Sequence, residues 1–117
     1  MEKTLAFYKS CVKRLLSAYE SLRTERSQVE LLFDDERMHY MAVRVGWNNR
    51  KRLYLCLVHI DICDEMIVIQ CNNTEDLLVN ELEEMGIRRQ QIRLGFLPPE
   101  VHSLIDDQES QPVLELA

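Results

Sequence analysis

The chain has 117 residues, 46% hydrophobic and 29% charged, with 14 Lys and Arg against 20 Asp and Glu for a formal net charge of −6. That balance fits one globular domain and excludes a disordered or collagen-like chain. The glycines Gly46, Gly86 and Gly95 are too scattered for a phosphate-cradling loop, and no apolar run reaches the roughly 18–20 residues of a membrane-spanning helix.

From Leu5 the apolar residues fall at 5, 8, 12, 15, 16, 19 and 22, the spacing of one buried helical face. This predicts a helix over about residues 3–23. Lys9, Lys13 and Arg14 interrupt the apolar positions, so the segment reads as mature structure of a cytoplasmic protein rather than a leader. The period then changes to two. Val29, Leu31 and Phe33 alternate with Glu30, Leu32 and Asp34, before a charged turn at 34–37. Met38 to Val45 reads as a second strand, closed by the turn-rich run Gly46-Trp47-Asn48-Asn49. Arg52 to Ile62 is a long third strand, and Met66 to Cys71 a fourth after a turn at Cys63-Asp64-Glu65. Links this short join antiparallel neighbours and predict a four-stranded antiparallel meander.

Asn72-Asn73-Thr74 offers capping side chains for a second helix over about 75–85, with Glu75 and Asp76 in its first turn and Gly86 as its left-handed end. Leu77, Leu78, Leu82 and Met85 supply its buried face. Ile87, Ile92, Leu94 and Phe96 anchor a connection with room for one short extended piece, ended by Pro98-Pro99. The order is helix, four strands, helix and irregular C-terminal segment. It defines an α+β domain over residues 1–100, with the second helix on the same sheet face as the first. Residues 95–117 hold five acids and no Lys or Arg, against a nearly balanced 1–94. Residues 101–117 therefore read as an acidic, solvated C-terminal extension.

In the third strand Tyr54, Cys56, Val58, Ile60 and Ile62 alternate with Leu53, Leu55 and Leu57, which leaves apolar side chains on both faces. The helices cover one. The other needs either a homo-oligomeric contact, which is the expectation, or the tail folding over it through Val113, Leu114 and Leu116. The cysteines Cys11, Cys56, Cys63 and Cys71 lack the two-residue gap of zinc or redox pairs and read as structural thiols.

His59 and Asp61 share a strand face, roughly 7 Å apart by strand rise. With His39 or His102 they would approach a metal site or an acid–base pair, the basis of an alternative reading as a small metal-dependent enzyme. Two ligands fall short of the three that catalytic zinc needs, so a structural histidine is expected, with no metal and no cofactor. No nucleophile elbow is present, and Asp34/Asp35 and Glu83/Glu84 are sequence neighbours rather than facing carboxylates; no enzyme is expected. Two basic clusters, Arg50-Lys51-Arg52 and Arg88-Arg89 with Arg93, would contact phosphates if they converge, with Trp47 and Tyr54 free to stack on bases. That is a second alternative, direct nucleic-acid binding. Solvated loop charges are the plainer expectation.

The strings RVGW (44–47), CLVHIDI (56–62), IQCNNTED (69–76) and LGFLPPE (94–100), in this order and spacing, resemble the XisI family. These are the cyanobacterial fdxN-element excision controlling factors. LLFDDERMHY and LVNELEEMGI match as well, and the resemblance spans about residues 3–100. It implies a small non-enzymatic accessory factor in developmental DNA-element excision in heterocysts, acting by binding an endonuclease-like XisH-type protein. The partner would bring the chemistry and this chain a docking face. The matching positions Trp47, His59, Asp61, Asn72, Asn73, Glu75 and Asp76 are then candidates for a shared surface or a fold-defining set. The chain departs from the family pattern after Pro99, where it continues VHSLIDDQESQPVLELA.

Overall fold

Tyr8, Cys11, Val12, Leu15 and Leu16 form one buried stripe along the first helix, α1 (Glu2–Ser17). The computed structural model describes residues 2–98. The acidic extension, with His102, Val113, Leu114 and Leu116, lies outside the described residues. The helix is shorter than its periodicity predicts. The Ser17 hydroxyl donates to the Lys13 carbonyl at 2.7 Å, and the chain tightens into a 3-10 turn over Ala18–Ser21. Hydroxyl back-bonding of this kind competes with the helical ladder. The tighter turn still delivers Tyr19 to the core.

Five strands follow in one sheet, in the order β1-β2-β3-β4-β5: β1 (Ser27–Asp34), β2 (His39–Asn48), β3 (Lys51–Cys63), β4 (Met66–Asn72) and β5 (Ile92–Leu94). The first four make the antiparallel meander. β5 corrects the four-strand expectation. It runs parallel to β4, pairing Ile92 with Ile67 and Leu94 with Ile69, so the sheet is mixed. A parallel return needs a crossover, and the connection that carries α2 (Leu78–Glu84) supplies it. Buried residues of α1 and α2 share one core with Tyr40, Ala42, Val58, Ile60, Ile62, Ile67 and Ile69, so both helices lie on the same sheet face.

Two local expectations are corrected as well. Gly46 and Trp47 belong to β2 rather than to a turn, because Trp47 pairs with Arg52 and its amide donates to the Arg26 carbonyl at 2.9 Å. The chain reverses at Asn49-Arg50, with Asn49 at φ 60°. The second helix starts at Leu78, not at residue 75, and has no side-chain cap. Asn72 and Thr74 are used in the loop before it. The Thr74 amide donates to Asn72 Oδ1 at 2.9 Å, Asn72 Nδ2 donates to the Asp76 carbonyl at 3.0 Å, and the Tyr19 hydroxyl donates to the Asp76 carboxylate at 2.5 Å. Gly86 ends the helix with φ 107°, as expected.

The two faces of β3 are not the ones simple alternation gives. Ala42 pairs with Val58 and Val43 with Cys56, which leaves Leu57 as an extra residue in β3. A bulge of this kind reverses which face each preceding side chain takes. Leu57 accordingly joins Val58, Ile60 and Ile62 in the helix-covered core. Cys56 and Tyr54 move to the opposite face, with His59 and Asp61. On that second face β2 places His39, Met41, Val43, Val45 and Trp47, and none of them belongs to the main core.

Candidate functional site on the open sheet face

Asp61 is a carboxylate in the middle of a sheet, and only 7% of its surface is exposed. A charge that deep must be hydrogen-bonded to persist. The β2–β3 register sets His39 directly opposite Asp61, and His59 precedes it by two positions on the same face. His39 Nδ1 and His59 Nε2 each lie 2.8 Å from Asp61 Oδ1. An ionised carboxylate only accepts, so each of those ring nitrogens carries the proton. Between β3 and β4, His59 pairs with Cys71 and Ile60 with Ile69, which makes Gln70 a second bulge residue. Alternation from Val68, which lies opposite Asp61, puts Gln70 on the face of the cluster, where its Nε2 donates to Asp61 Oδ2 at 3.1 Å. Burial works against the charge on Asp61, and the bonds from His39, His59 and Gln70 outweigh it, so its pKa lies below the ordinary carboxylate value.

The candidates named from sequence separate into three places. His59 and Asp61 join His39 in this cluster, with the two imidazole rings edge-on and their centroids 6.3 Å apart. Asn72 ends β4, and Asn73, Glu75 and Asp76 stand in the loop after it, where Asn73 Nδ2 donates to the Cys56 carbonyl at 2.9 Å. Trp47 lies towards the far end of β2, half exposed, with the Arg52 guanidinium 5.2 Å from its ring centre. Sequence reasoning missed Gln70, because the β3–β4 register, which sets Val68 opposite Asp61, is what brings it to the cluster.

The basic clusters do not converge. Arg50 stands in the β2–β3 turn, whereas Arg93 of β5 is level with Val68 and Asp61, on the order of 30 Å further along β3 by strand rise. Arg88 and Arg89 precede β5, and Arg89 pairs with Glu83 at 3.1 Å. Lys51 begins β3 and is exposed. Arg52 is grouped instead with Arg23, Arg26 and Glu25 around an open groove of about 380 Å³ beside Gly46. The four cysteines are free thiols. Burial, then the neighbouring Cys71, pushes the Cys56 thiol up to about 11. No helix among the described residues is long and apolar enough to cross a membrane.

A mixed five-stranded sheet, with two helices on one face and a partly apolar second face that no described helix covers, defines a small α+β protein with a His–Asp–His cluster on its central strand, at the β3–β4 hairpin end of that second face. The sequence profile of the XisI protein matches residues 1–106, and the chain belongs to the XisI family. No curated protein matches it. A crystal structure of a XisI-like protein from Anabaena variabilis is similar at a TM-score of 0.83 and 38% identity, over 87% of this chain and 95% of that one. The fdxN element excision controlling factor XisI of the same organism is similar at a TM-score of 0.73 and 25% identity, over 84% and 97% of the two chains. Membership is consistent with an excision controlling factor.

Proposed function

We propose that this chain is a non-enzymatic accessory factor of DNA-element excision that works by docking an endonuclease-like XisH-type subunit on its open sheet face. The observation that carries the reading is the exposure of large apolar side chains there. Leu32 is 53% exposed, Trp47 54% and Tyr54 72%, on a face that neither helix covers. Aromatic residues half or more in solvent contribute little to the fold and are typical anchors of an interface. Similarity to the fdxN element excision controlling factor XisI supplies the context. The partner brings the DNA-binding and catalytic groups, and this chain stabilises or restrains it.

Co-expression with the XisH-type subunit, followed by size-exclusion chromatography, tests this. An equimolar complex is expected, and Tyr54→Asp is expected to dissociate it while leaving the urea unfolding midpoint of the chain unchanged. A wild-type chain that elutes alone as a homo-oligomer, and falls to a monomer with Tyr54→Asp, assigns the face to a second copy and removes the partner reading. Direct DNA binding draws support from the Arg23, Arg26 and Arg52 groove, although Glu25 lines it too. That reading requires affinity that falls steeply with salt and disappears with Arg52→Glu.

A further inference from the structure

The sequence supplies two candidate ligands, His59 and Asp61, and the β2–β3 register supplies the third by setting His39 opposite Asp61. We infer that His39 Nδ1, His59 Nε2 and Asp61 Oδ1 form a binding site for a divalent first-row transition cation, Zn²⁺ above all. The three donor atoms already lie within 4.8 Å of one another. Ligands around a tetrahedral zinc stand roughly 3.3 Å apart, given bonds of 2.0–2.2 Å. Small rotations of the two imidazoles therefore reach that geometry with the strands in place.

The donor set of two imidazole nitrogens and one carboxylate suits zinc and its neighbours in the series rather than magnesium or calcium, which prefer oxygen throughout. The cation replaces the two N–H bonds now aimed at Asp61. Each neutral imidazole moves its proton to its other ring nitrogen, so binding needs no net proton loss from the neutral rings. Gln70, bonded to Oδ2, keeps the carboxylate turned with Oδ1 inward, as the outer partners of metal ligands commonly do. The side chain of His39 is 52% exposed and that of His59 29%, so the remaining coordination positions open to water on the uncovered face. A cation here clips β2 to β3. The site needs no docked partner, since all three ligands come from one chain.

Zn²⁺ alone, titrated by calorimetry into the full chain after chelator dialysis, tests it, with Co²⁺ as the optical probe. One equivalent is expected to bind. Affinity should fall about tenfold or more in Gln70→Ala and further in His39→Gln and His59→Gln, with the circular dichroism spectrum unchanged. Cys56→Ser should bind as the wild type does. The site is overturned if the folded wild-type chain takes up no Zn²⁺, or if binding survives both histidine changes. It is equally overturned if the Co²⁺ form shows thiolate charge-transfer absorption, which would place the ion on Cys56 or Cys71.

Discussion

At the scale of single residues, the molecule turns on a few polar side chains whose partners come from elsewhere in the chain. Asp61 is the clearest, because one buried carboxylate collects bonds from β2, β3 and β4. Asp61→Ala should destabilise the chain by about 1–3 kcal/mol, the cost of stranding polar partners that still reach some water. Urea unfolding at neutral pH measures this, as a lower midpoint at unchanged slope. Glu81 carries the opposite sign. Burial, then Asp76 and Glu84, raise its pKa. A carboxyl whose folded pKa exceeds its unfolded one binds its proton more tightly when folded, so its ionised form costs stability once pH is above both. Glu81→Gln should therefore be the more stable chain at neutral pH, by at most about 0.5 kcal/mol for a partly buried site that still reaches water. The difference should close as pH falls through the raised value and below the ordinary 4.5. Thermal melts across pH would read it.

Elements end and bend where local chemistry competes with the regular ladder. The turn between β3 and β4 puts Asp64 and Glu65 at φ 50° and 63°, the paired left-handed residues that suit the twist of a two-residue hairpin. Gly86 closes α2 at φ 107°, and a methyl group there would stand 3.3 Å from the ring of Phe7. Gly86→Ala should cost about 1–2 kcal/mol through backbone strain, seen as a lower thermal midpoint. Gly46 is glycine for another reason, since a side chain there would overlap the Arg26 carbonyl that the Trp47 amide binds. The extra residues Leu57 and Gln70 are the element-scale features that matter most for the site. Leu57 sends Tyr54 and Cys56 to the open face, and Gln70 supplies the bond to Asp61.

On the scale of the whole molecule, the asymmetry of the sheet is the main fact. One face is buried under α1 and α2, and the other presents the His–Asp–His cluster near one end, level with Leu32, and Trp47 and Tyr54 towards the other. The charge distribution adds a second asymmetry, because five acids and no Lys or Arg follow residue 94. If that acidic segment competes with DNA for a basic groove on the partner, deleting residues 101–117 should weaken partner binding more at low salt than at high salt. Equal loss at both salt concentrations in a pull-down series removes the electrostatic role.

The sequence by itself determined the class of fold, the four meander strands, the burial stripe of α1 and the family, because periodicity and turn residues are local signals. Its pattern also put His59 and Asp61 on one face, as strand alternation requires. The tertiary structure alone decided the rest. Periodicity carries no information about which strand lies beside which, so β5 and its parallel pairing with β4 were beyond it. A bulge is one extra residue with no composition of its own, so the faces of Tyr54 and Cys56 were invisible. Asn72 and Thr74 look like helix caps in sequence, but the Asp76 carbonyl and the Tyr19 hydroxyl recruit that loop into a different set of bonds. The third member of the His–Asp–His cluster lies twenty-two positions from Asp61, and only the register of two antiparallel strands closes that distance to 2.8 Å.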